Sequence, residues 1–474
     1  MRTGPPRIVV VCRQAGCRRD AIFGRSEHGG SERGNLFEGF MRKAADPEPF
    51  CRGEPATILD FRLLPSSCLT TFLMQSPDRT SSLELRASLG LASVFGLRML
   101  GLFIILPVFA PFARNLQGGS SQTMVGIALG IYGLTQACFQ LPLGRLSDRF
   151  GRKRIIYLGL LMFAAGSLVA ALADNLLTVA IGRAIQGAGA ISSAVIALNA
   201  DLTRADHRTK SMAIIGMTIG ATFIVSMVAG PVFEKWIGVP GIFAMTGILA
   251  LAAILVVRFV VPEPTRETRP AGPEQAVPLA VILRDPQLLR LNFGIFALHG
   301  VLMAMFVVVP FELYAHLPAA SHWKFYLGVM LASLVVMVPV MLISERRRAQ
   351  KAAFVGGVIV IVAAELVLAS SASVFALSVI GMVMFFAAFN LLEASLPSLV
   401  SRVAPASAKG TAIGVYSTLQ FVGAFVGATA GGWIAQHYGT VAVFLFCATV
   451  ALLWLLLAVG MRVPQRGNAS RGQQ

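Results

Sequence analysis

GRLSDRFGRKR, residues 144–154, is a short charged turn between two long apolar runs. It carries five cationic side chains and one carboxylate. Short loops rich in Lys and Arg stay on the cytoplasmic side of a membrane, whereas acidic residues contribute little to orientation. The turn therefore predicts a cytoplasmic loop, and this loop orients the rest of the chain.

The order of residues within this turn also has a mechanical meaning. Gly144 permits the close approach of a neighbouring helix, and Gly151 permits a backbone turn that a larger residue resists. Asp148 is suited to capping a helix, and Arg152 is suited to holding a carboxylate. An ordinary positive-inside loop would explain the arginines, but not the ordered glycines and aspartate between them.

The composition predicts a polytopic membrane protein. The 474 residues are 55% hydrophobic and 13% charged, and the mean hydropathy of +0.72 lies far outside the range of soluble globular proteins. The net charge of +17 comes from basic residues in loops between apolar runs, so it reports topology and not a nucleic-acid partner. The six cysteines lack ligand spacing, and we expect neither a disulfide framework nor a metal site.

Residues 1–83 differ from everything after them. They mix Arg, Gly, Pro and acidic residues, and no apolar run among them is long enough to span a membrane. RIVVVC, residues 7–12, is too short for the apolar core of a secretory signal and is followed by more arginine. We expect a disordered N-terminal extension, with translation starting at Met74.

A spanning helix needs about 20 apolar residues, and the sequence supplies about twelve such runs. They predict an all-α integral membrane fold of twelve transmembrane helices. The predicted spans are 87–113, 122–143, 155–173, 177–200, 211–235, 240–261, 291–314, 322–344, 352–370, 374–401, 410–435 and 440–461.

Basic residues accumulate in alternate connections between these spans. The rich connections contain Arg145, Arg149, Arg152, Lys153, Arg154, Arg204, Arg208, Lys210, Arg258, Arg266, Arg269, Arg284, Arg290, Arg346, Arg347, Arg348, Lys351, Arg402 and Lys409. The opposite connections contain only Arg114, Lys235 and Lys324. The rich side is therefore expected to be cytoplasmic, and an even number of spans places both termini there.

The longest connection, residues 262–290, is rich in proline and predicts a cytoplasmic linker. It divides the chain into an N-terminal six-helix half, residues 84–261, and a C-terminal six-helix half, residues 291–462. Residues 463–474 are expected to form a short cytoplasmic tail, without a further soluble domain.

The GRLSDRFGRK pattern resembles the signature loop between the second and third helices of major facilitator superfamily (MFS) transporters. The matching residues are Gly144, Asp148, Arg149, Gly151 and Arg152. The resemblance implies that Arg152 pairs with Asp201 at the end of the fourth helix. It also implies that Asp148 faces the start of the eleventh helix at Lys409 and Gly410, where the helix dipole favours a carboxylate. Such contacts would hold two halves together in one state and break in the other.

Few ionisable side chains fall inside the predicted spans, where each costs about 3 kcal/mol on insertion scales. His299 lies nine residues after Arg290, and Glu393 lies nine residues before Arg402. A rise of about 1.5 Å per residue places both about 13 Å deep in the same half. They can therefore form a pair, which serves either proton coupling or a hydrogen-bonded contact that only locks the half together.

Two arginines also lie inside spans: Arg98 midway along the first and Arg183 in the outer half of the fourth. GRAIQGAGA, residues 182–190, resembles the fourth-helix motif of proton-linked MFS transporters, where the arginine is associated with proton transfer. A structural bond to neighbouring helices is the alternative. Arg98 resembles the family only in position, and Glu365, near the outer surface, is expected to snorkel.

Glycines at four-residue spacing predict close helix crossings. They are Gly126 with Gly130, Gly216 with Gly220, and Gly423, Gly427 and Gly431.

Two longer runs, SVFGLRMLGLFIILPVF at 93–109 and FNLLEASLPSLVSR at 389–402, resemble the YajR type of bacterial proton-driven efflux transporters. In that type, the positions of His299 and Glu393 are suspected of protonation. The fifth-helix antiporter motif expects paired glycines soon after Gly230-Pro231, and this chain has Val232, Phe233 and Glu234 there. That departure weakens the case for antiport.

These features predict a monomeric, multi-pass transporter of the bacterial inner membrane that moves small drug-like or metabolite molecules by alternating access. Proton-coupled efflux is favoured, with the proton gradient as the energy source and with no cofactor. Its partners would be a small-molecule substrate and the lipid bilayer. The alternatives are a proton-linked uptake symporter and a non-transporting membrane sensor. An enzyme is not expected, because the sequence offers no Ser, His and Asp set, metal-ligand helix or nucleotide loop.

Overall fold

The computed structural model describes residues 8–15, 18–25, 82–204, 207–263, 279–371, 374–405 and 408–461. The chain divides into two compact units, residues 1–79 and 80–474. In the first unit, β1 (Ile8–Ala15) and β2 (Arg18–Arg25) form an antiparallel hairpin. These strands lie inside the segment expected to be disordered and differ from that expectation, because the β-branched run that opens β1 favours an extended backbone. The other residues before Ser82, including Met74, lie outside the described residues.

The second unit is helical. In its first part, the helices are α1 (Ser82–Phe103), α2 (Leu106–Arg114), α3 (Gln122–Phe150), α4 (Arg152–Ala171), α5 (Leu176–Ala188), α6 (Ser192–Leu202) and α7 (Arg208–Phe259). After residues 264–278, which are not described, come α8 (Leu279–Arg284), α9 (Pro286–His316), a 3₁₀ turn (Ala319–Ser321), α10 (His322–Arg346), α11 (Gln350–Ala369), α12 (Phe375–Val403) and α13 (Lys409–Val459).

Polar residues before three of the helices explain where those helices begin. Ser121, Asn175 and Asp285 each accept a hydrogen bond from backbone N–H groups in the first turn of α3, α5 and α9. Such caps satisfy donors that have no partner within the helix. The expected linker, residues 262–290, contains α8 and the first turn of α9, and its residues 264–278 lie outside the described residues, as does the expected tail.

Ten helical stretches of the described residues are long and apolar enough to cross a membrane. Two of them, α7 and α13, have 52 and 51 residues, more than twice the length that a single crossing needs. Each contains one glycine with non-helical backbone, Gly238 with φ 65° and Gly439 with φ 80°. That left-handed region favours glycine, so each long stretch breaks there into two helical parts.

The chain reverses direction at both breaks. The first part of α7 runs parallel to α1 and the second part runs antiparallel to it; the first and second parts of α13 have the same relation to α9. For α7, the parallel part is shown by the approaches of Gly96 to Thr218 and Ile104 to Gly230, and the antiparallel part by Gly90 to Val261 and Gly101 to Thr246. For α13, the parallel part is shown by Phe296 to Gly423 and Gly300 to Gly427, and the antiparallel part by Gly294 to Trp454 and Val301 to Cys447.

The helices α1–α7 form the N-half and α9–α13 the C-half, and the halves meet where α3 packs antiparallel to the first part of α13. A Cβ atom on Gly126 would lie 2.2 Å from the Ala428 carbonyl oxygen, so the two backbones are in contact there. Near the start of α13, no atom of the described residues lies within 4 Å of the Cβ position of Gly410. The halves therefore touch at the end that carries Gln122 and Gln436, the Gln436 end, and separate at the end that carries Arg152 and Lys409, the Arg152 end.

Ring contacts between the halves follow the same asymmetry. Phe223 of α7 stacks on Phe389 of α12 with ring centroids 5.5 Å apart, and the Arg114 guanidinium lies 5.4 Å from the Phe311 ring centroid. Two of the expected glycine crossings are present, but in the described part of the chain nothing lies within 4 Å of the Cβ positions of Gly216 and Gly220. That part of α7 lies toward the Arg152 end, where the halves have separated.

Candidate functional site

The charged turn holds two helices and a third helix end together. Gly151, with φ 99°, ends α3 and places Arg152 at the start of α4. The guanidinium of Arg152 forms an ion pair with Asp148, donates to Ser147 Oγ at 2.8 Å, and lies with Nε 3.2 Å from Asp201 Oδ2. A Cβ on Gly144 would lie 2.9 Å from Ser193 Oγ, so α3 and α6 approach closely there.

The structure brings Arg152 and Asp201 together, but it gives Asp148 a different neighbour from the expected one. Asp148 is 62% exposed and pairs with Arg152 of its own turn, while no atom of the residues that the structure describes lies within 4 Å of the Gly410 Cβ position. Arg149 is exposed, with its guanidinium 5.6 Å from the Phe150 ring centroid. The expected contact between Asp148 and α13 would need the halves to close at the Arg152 end.

A buried polar cluster beside this turn was missed by the sequence analysis. Glu84 Oε1 accepts from the Arg204 backbone N–H at 3.0 Å, and Glu84 Oε2 lies 3.1 Å from His207 Nδ1. One turn further, Ser88 and Ser211 hydroxyls lie 2.6 Å apart. The cluster anchors the start of α1 to the α6–α7 connection. A sequence signal existed in Glu84 and Ser88, polar residues four apart at the start of an apolar run.

Arg98 lies in a polar pocket of the N-half interior. Its guanidinium donates to Gln136 Oε1 and, at 3.1 Å, to Ser192 Oγ. Gln136 in turn donates to Gln140 Oε1 at 3.4 Å. All four side chains are buried, so amide and hydroxyl groups replace water around this cation.

Arg183 lies on the other side of the same region. It is fully buried, donates to the Leu129 carbonyl oxygen at 3.0 Å, and lies with its guanidinium 5.0 Å from the Tyr132 ring centroid. Arg98 lies 6.0 Å from the same ring. In the described part of the chain, no carboxylate oxygen lies within 4.0 Å of either guanidinium.

The C-half interior contains a histidine and a carboxylate, where the N-half interior contains two arginines. His299 Nδ1 lies 3.9 Å from Glu393 Oε2, as equal depth in α9 and α12 allows. The Gln420 amide of α13 donates to His299 Nε2 at 2.8 Å and to Glu393 Oε1 at 3.4 Å. His299 is buried against the Phe389 ring, whereas the Glu393 side chain is 30% exposed. This cluster can therefore hold a proton next to an accessible carboxylate.

One ring contact connects the two interiors across the boundary between the halves. Phe421, which follows Gln420 in α13, lies with its ring centroid 6.5 Å from that of Tyr132 in α3. The Tyr132 ring in turn contacts both Arg98 and Arg183. The ring that contacts both arginines therefore also contacts the residue that follows Gln420 in α13.

Glu365 does not snorkel, contrary to expectation. Its side chain is 0% exposed in α11, and neither carboxyl oxygen has a hydrogen-bond partner among the described residues. The helix packs between α12 and α13, and the carboxyl group points into that packed region instead of toward the membrane surface. Hydropathy gave the depth of Glu365 but not the direction of its side chain.

The amides Gln136, Gln186 and Gln420 complete these clusters, and sequence reasoning missed all of them. Gln136 and Gln140 lie four residues apart, which places both on one face of α3 together with Tyr132. A polar face within an apolar span was therefore visible in the sequence. What the sequence lacked was the identity of the arginine that this face contacts.

Comparisons with known proteins agree with this arrangement. The sequence profile of the Major Facilitator Superfamily matches residues 91–428 and 391–474. The inner membrane transport protein YajR of Escherichia coli strain K12 is 48% identical over 384 residues, which cover 80% of this chain and 84% of YajR. The resemblance found in the charged turn is therefore confirmed over most of the chain.

Solved structures share the fold at low sequence identity. The human organic anion transporter MFSD10 has a TM-score of 0.61 at 17% identity, covering 80% of this chain and 100% of that structure. A bacterial homologue of the human lysosomal transporter Spinster, in an inward-facing and occupied conformation, has a TM-score of 0.62 at 12% identity, covering 80% and 97%. From its helical membrane fold, its charged turn and these matches, the chain belongs to the Major Facilitator Superfamily, whose members are multi-pass membrane transporters and not enzymes.

Proposed function

We propose that this protein is a proton-coupled exporter of small drug-like or metabolite molecules, working by alternating access as a monomer in the bacterial inner membrane. The observation that carries the proposal is the His299–Glu393–Gln420 cluster, an ionisable group next to an accessible carboxylate inside an apolar half. Intramembrane ionisable residues of this kind are costly, and proton relays are one of their main uses.

The proposed topology has twelve crossings with both termini in the cytoplasm. Eight single helical stretches and two stretches that reverse at Gly238 and Gly439 supply the crossings. A straight helix of 52 residues would be about 78 Å long, far more than the roughly 30 Å of hydrocarbon in a bilayer. The Arg152 end carries most of the basic connections, so the positive-inside rule makes it the cytoplasmic end.

With that orientation, we propose that this arrangement is an inward-open state. The halves separate at the Arg152 end and touch at the Gln436 end. The opposite state requires the reverse, with Asp148 meeting the start of α13. Two interconverting arrangements of rigid halves are what alternating access needs.

The test is proton movement in proteoliposomes under an imposed pH gradient, read by an internal pH-sensitive dye during the addition of cationic drugs or sugars. We expect drug counterflow to be accompanied by proton movement in the opposite direction. Glu393→Gln should abolish the proton signal, because the amide cannot release a proton. Glu345→Gln, an exposed carboxylate at the end of α10 in the same half, is the matched control and should retain the signal.

The direction of the proton signal distinguishes the alternatives. Proton movement in the same direction as a sugar or other nutrient would replace the export proposal with proton-linked uptake. A Glu393→Gln protein that couples as the wild type does would remove Glu393 from the proton path. A protein that responds to no compound in the panel, while folded and inserted, would favour the membrane sensor.

A further inference from the structure

We infer that Gln436 is a positioning residue that latches the outer end of the transporter, holding the halves closed there through one carbonyl oxygen. The inference rests on the proposed alternating-access function and adds to it the residue that stabilises one of the two states. It does not depend on the substrate or on the coupling ion.

Three donors from one half converge on a single acceptor from the other. Gln436 Oε1 of α13 accepts from Ser121 Oγ at 2.8 Å, from the Thr123 backbone N–H at 3.1 Å and from Thr123 Oγ1 at 2.8 Å. The other hydrogen bonds identified between side chains of the described residues stay within one half. The contact therefore reports specifically on whether the halves are together at this end.

The start of α3 explains why the Gln436 side-chain oxygen accepts hydrogen bonds there. Ser121 caps the helix by accepting from the Met124 N–H, which leaves the Thr123 N–H without an acceptor of its own. Gln436 supplies that acceptor from across the boundary. The first turn of a helix is also electrically positive, which favours an oxygen with partial negative charge.

The backbones of α3 and α13 are in direct contact next to these hydrogen bonds. One turn before Gln436, a Cβ on Gly432 would lie 2.4 Å from the Gln122 carbonyl oxygen. Any motion that opens this end has to draw α13 away from α3. Because one atom accepts all three bonds, movement of α13 away from α3 weakens all three.

Spin-label distances across the outer end test the inference in lipid nanodiscs. Asp174→Cys in the α4–α5 connection and Ser370→Cys after α11 place one label on each half, in a protein whose native cysteines are replaced; both positions are exposed. We expect one short distance in the reference protein. Gln436→Leu should lower the ratio of closed to open molecules about fivefold, the effect of losing roughly one net hydrogen bond.

Two further variants separate a latch from general packing. Gln436→Glu keeps an acceptor at the same place, so it should retain the short distance, whereas a purely structural defect would not be rescued. His437→Ala is the matched control, because the exposed His437 has one hydrogen bond among the described residues, to the Trp433 carbonyl oxygen of its own helix. Thr123→Val should be less severe than Gln436→Leu, and the two changes should not add.

The outcomes distinguish the inference from the proposed function. Distances that stay unchanged in Gln436→Leu, in a protein that still transports, would overturn the latch. A shift in both Gln436→Leu and Gln436→Glu of equal size would also overturn it. A shift in Gln436→Leu alone supports the latch, even in a protein for which no proton-coupled transport is found.

Discussion

Arg152 Nε lies 3.2 Å from Asp201 Oδ2, which ties the first residue of α4 to the last turn of α6. The same guanidinium reaches Asp148 and Ser147 in α3. One cation thus fixes three helix ends at the edge where the halves have separated. Whatever moves α3 relative to α13 must move this cluster as a unit.

Asp201→Asn should slow transport about tenfold while leaving the folded protein almost as stable as before. Both partners are partly exposed, so the pair contributes only about 1 kcal/mol to folding. Without the Asp201 carboxylate, Arg152 pairs with Asp148 alone. Asp148 is then less available for the contact with α13 that closure of the Arg152 end requires. Substrate counterflow and thermal unfolding would be measured together, with Asp174→Asn at the other end of the bundle as the control. Unchanged counterflow in Asp201→Asn would contradict this role.

Gln420→Leu should reduce proton-coupled transport and destabilise the protein by about 1–3 kcal/mol. The amide is the donor that joins His299 and Glu393 in the described structure, and its removal leaves buried polar atoms without a partner. Proton flux and unfolding temperature would be compared with those of Asn390→Leu. Asn390 lies three residues before Glu393 and bonds to Ser333 instead. Equal effects of both changes would mean that Gln420 has no special part in the cluster.

Gly427→Ala should destabilise the C-half by about 1–3 kcal/mol, the usual cost of overpacking. A Cβ there would lie 2.0 Å from the Gly300 carbonyl oxygen, so α9 and α13 would have to separate. Gly356→Ala in α11 is the matched control, because no described residue places an atom within 4 Å of its Cβ position. Unfolding in detergent, followed by circular dichroism, would give both values. A control that loses as much stability as Gly427→Ala would show that helix contact is not the cause.

Glu365→Leu should raise the stability of the protein by about 1 kcal/mol or more and leave transport unchanged. The substitution removes two buried oxygens that have no hydrogen-bond partner among the described residues and fills the same region with an apolar side chain. Thermal unfolding and proton flux provide the measurements. A loss of proton flux in a stable Glu365→Leu protein would instead place this carboxyl group in the transport path.

Much of the candidate site could be predicted because depth in a membrane follows from counting residues. His299 and Glu393 were placed at equal depth from the basic residues at their helix ends, and the two side chains lie 3.9 Å apart. The partner of Arg98 could not be found in this way. Counting gives depth along a helix axis, whereas Gln136 and Ser192 reach Arg98 through the rotation and packing of three helices.

The membrane class, the charged turn and the family follow from local features of the sequence, because apolar run length and basic loops do not depend on how the helices are arranged. The pairing of Asp148 with Arg152, the burial of Glu365 and the contact between the halves at Gln436 come from the packed structure. Asp148 and Arg152 are neighbours in sequence, but the burial of Glu365 depends on which helices pack around it, and Gln436 meets Ser121 and Thr123 from more than 300 positions away. Such contacts follow from the packing of whole helices, which in a transporter has more than one stable solution.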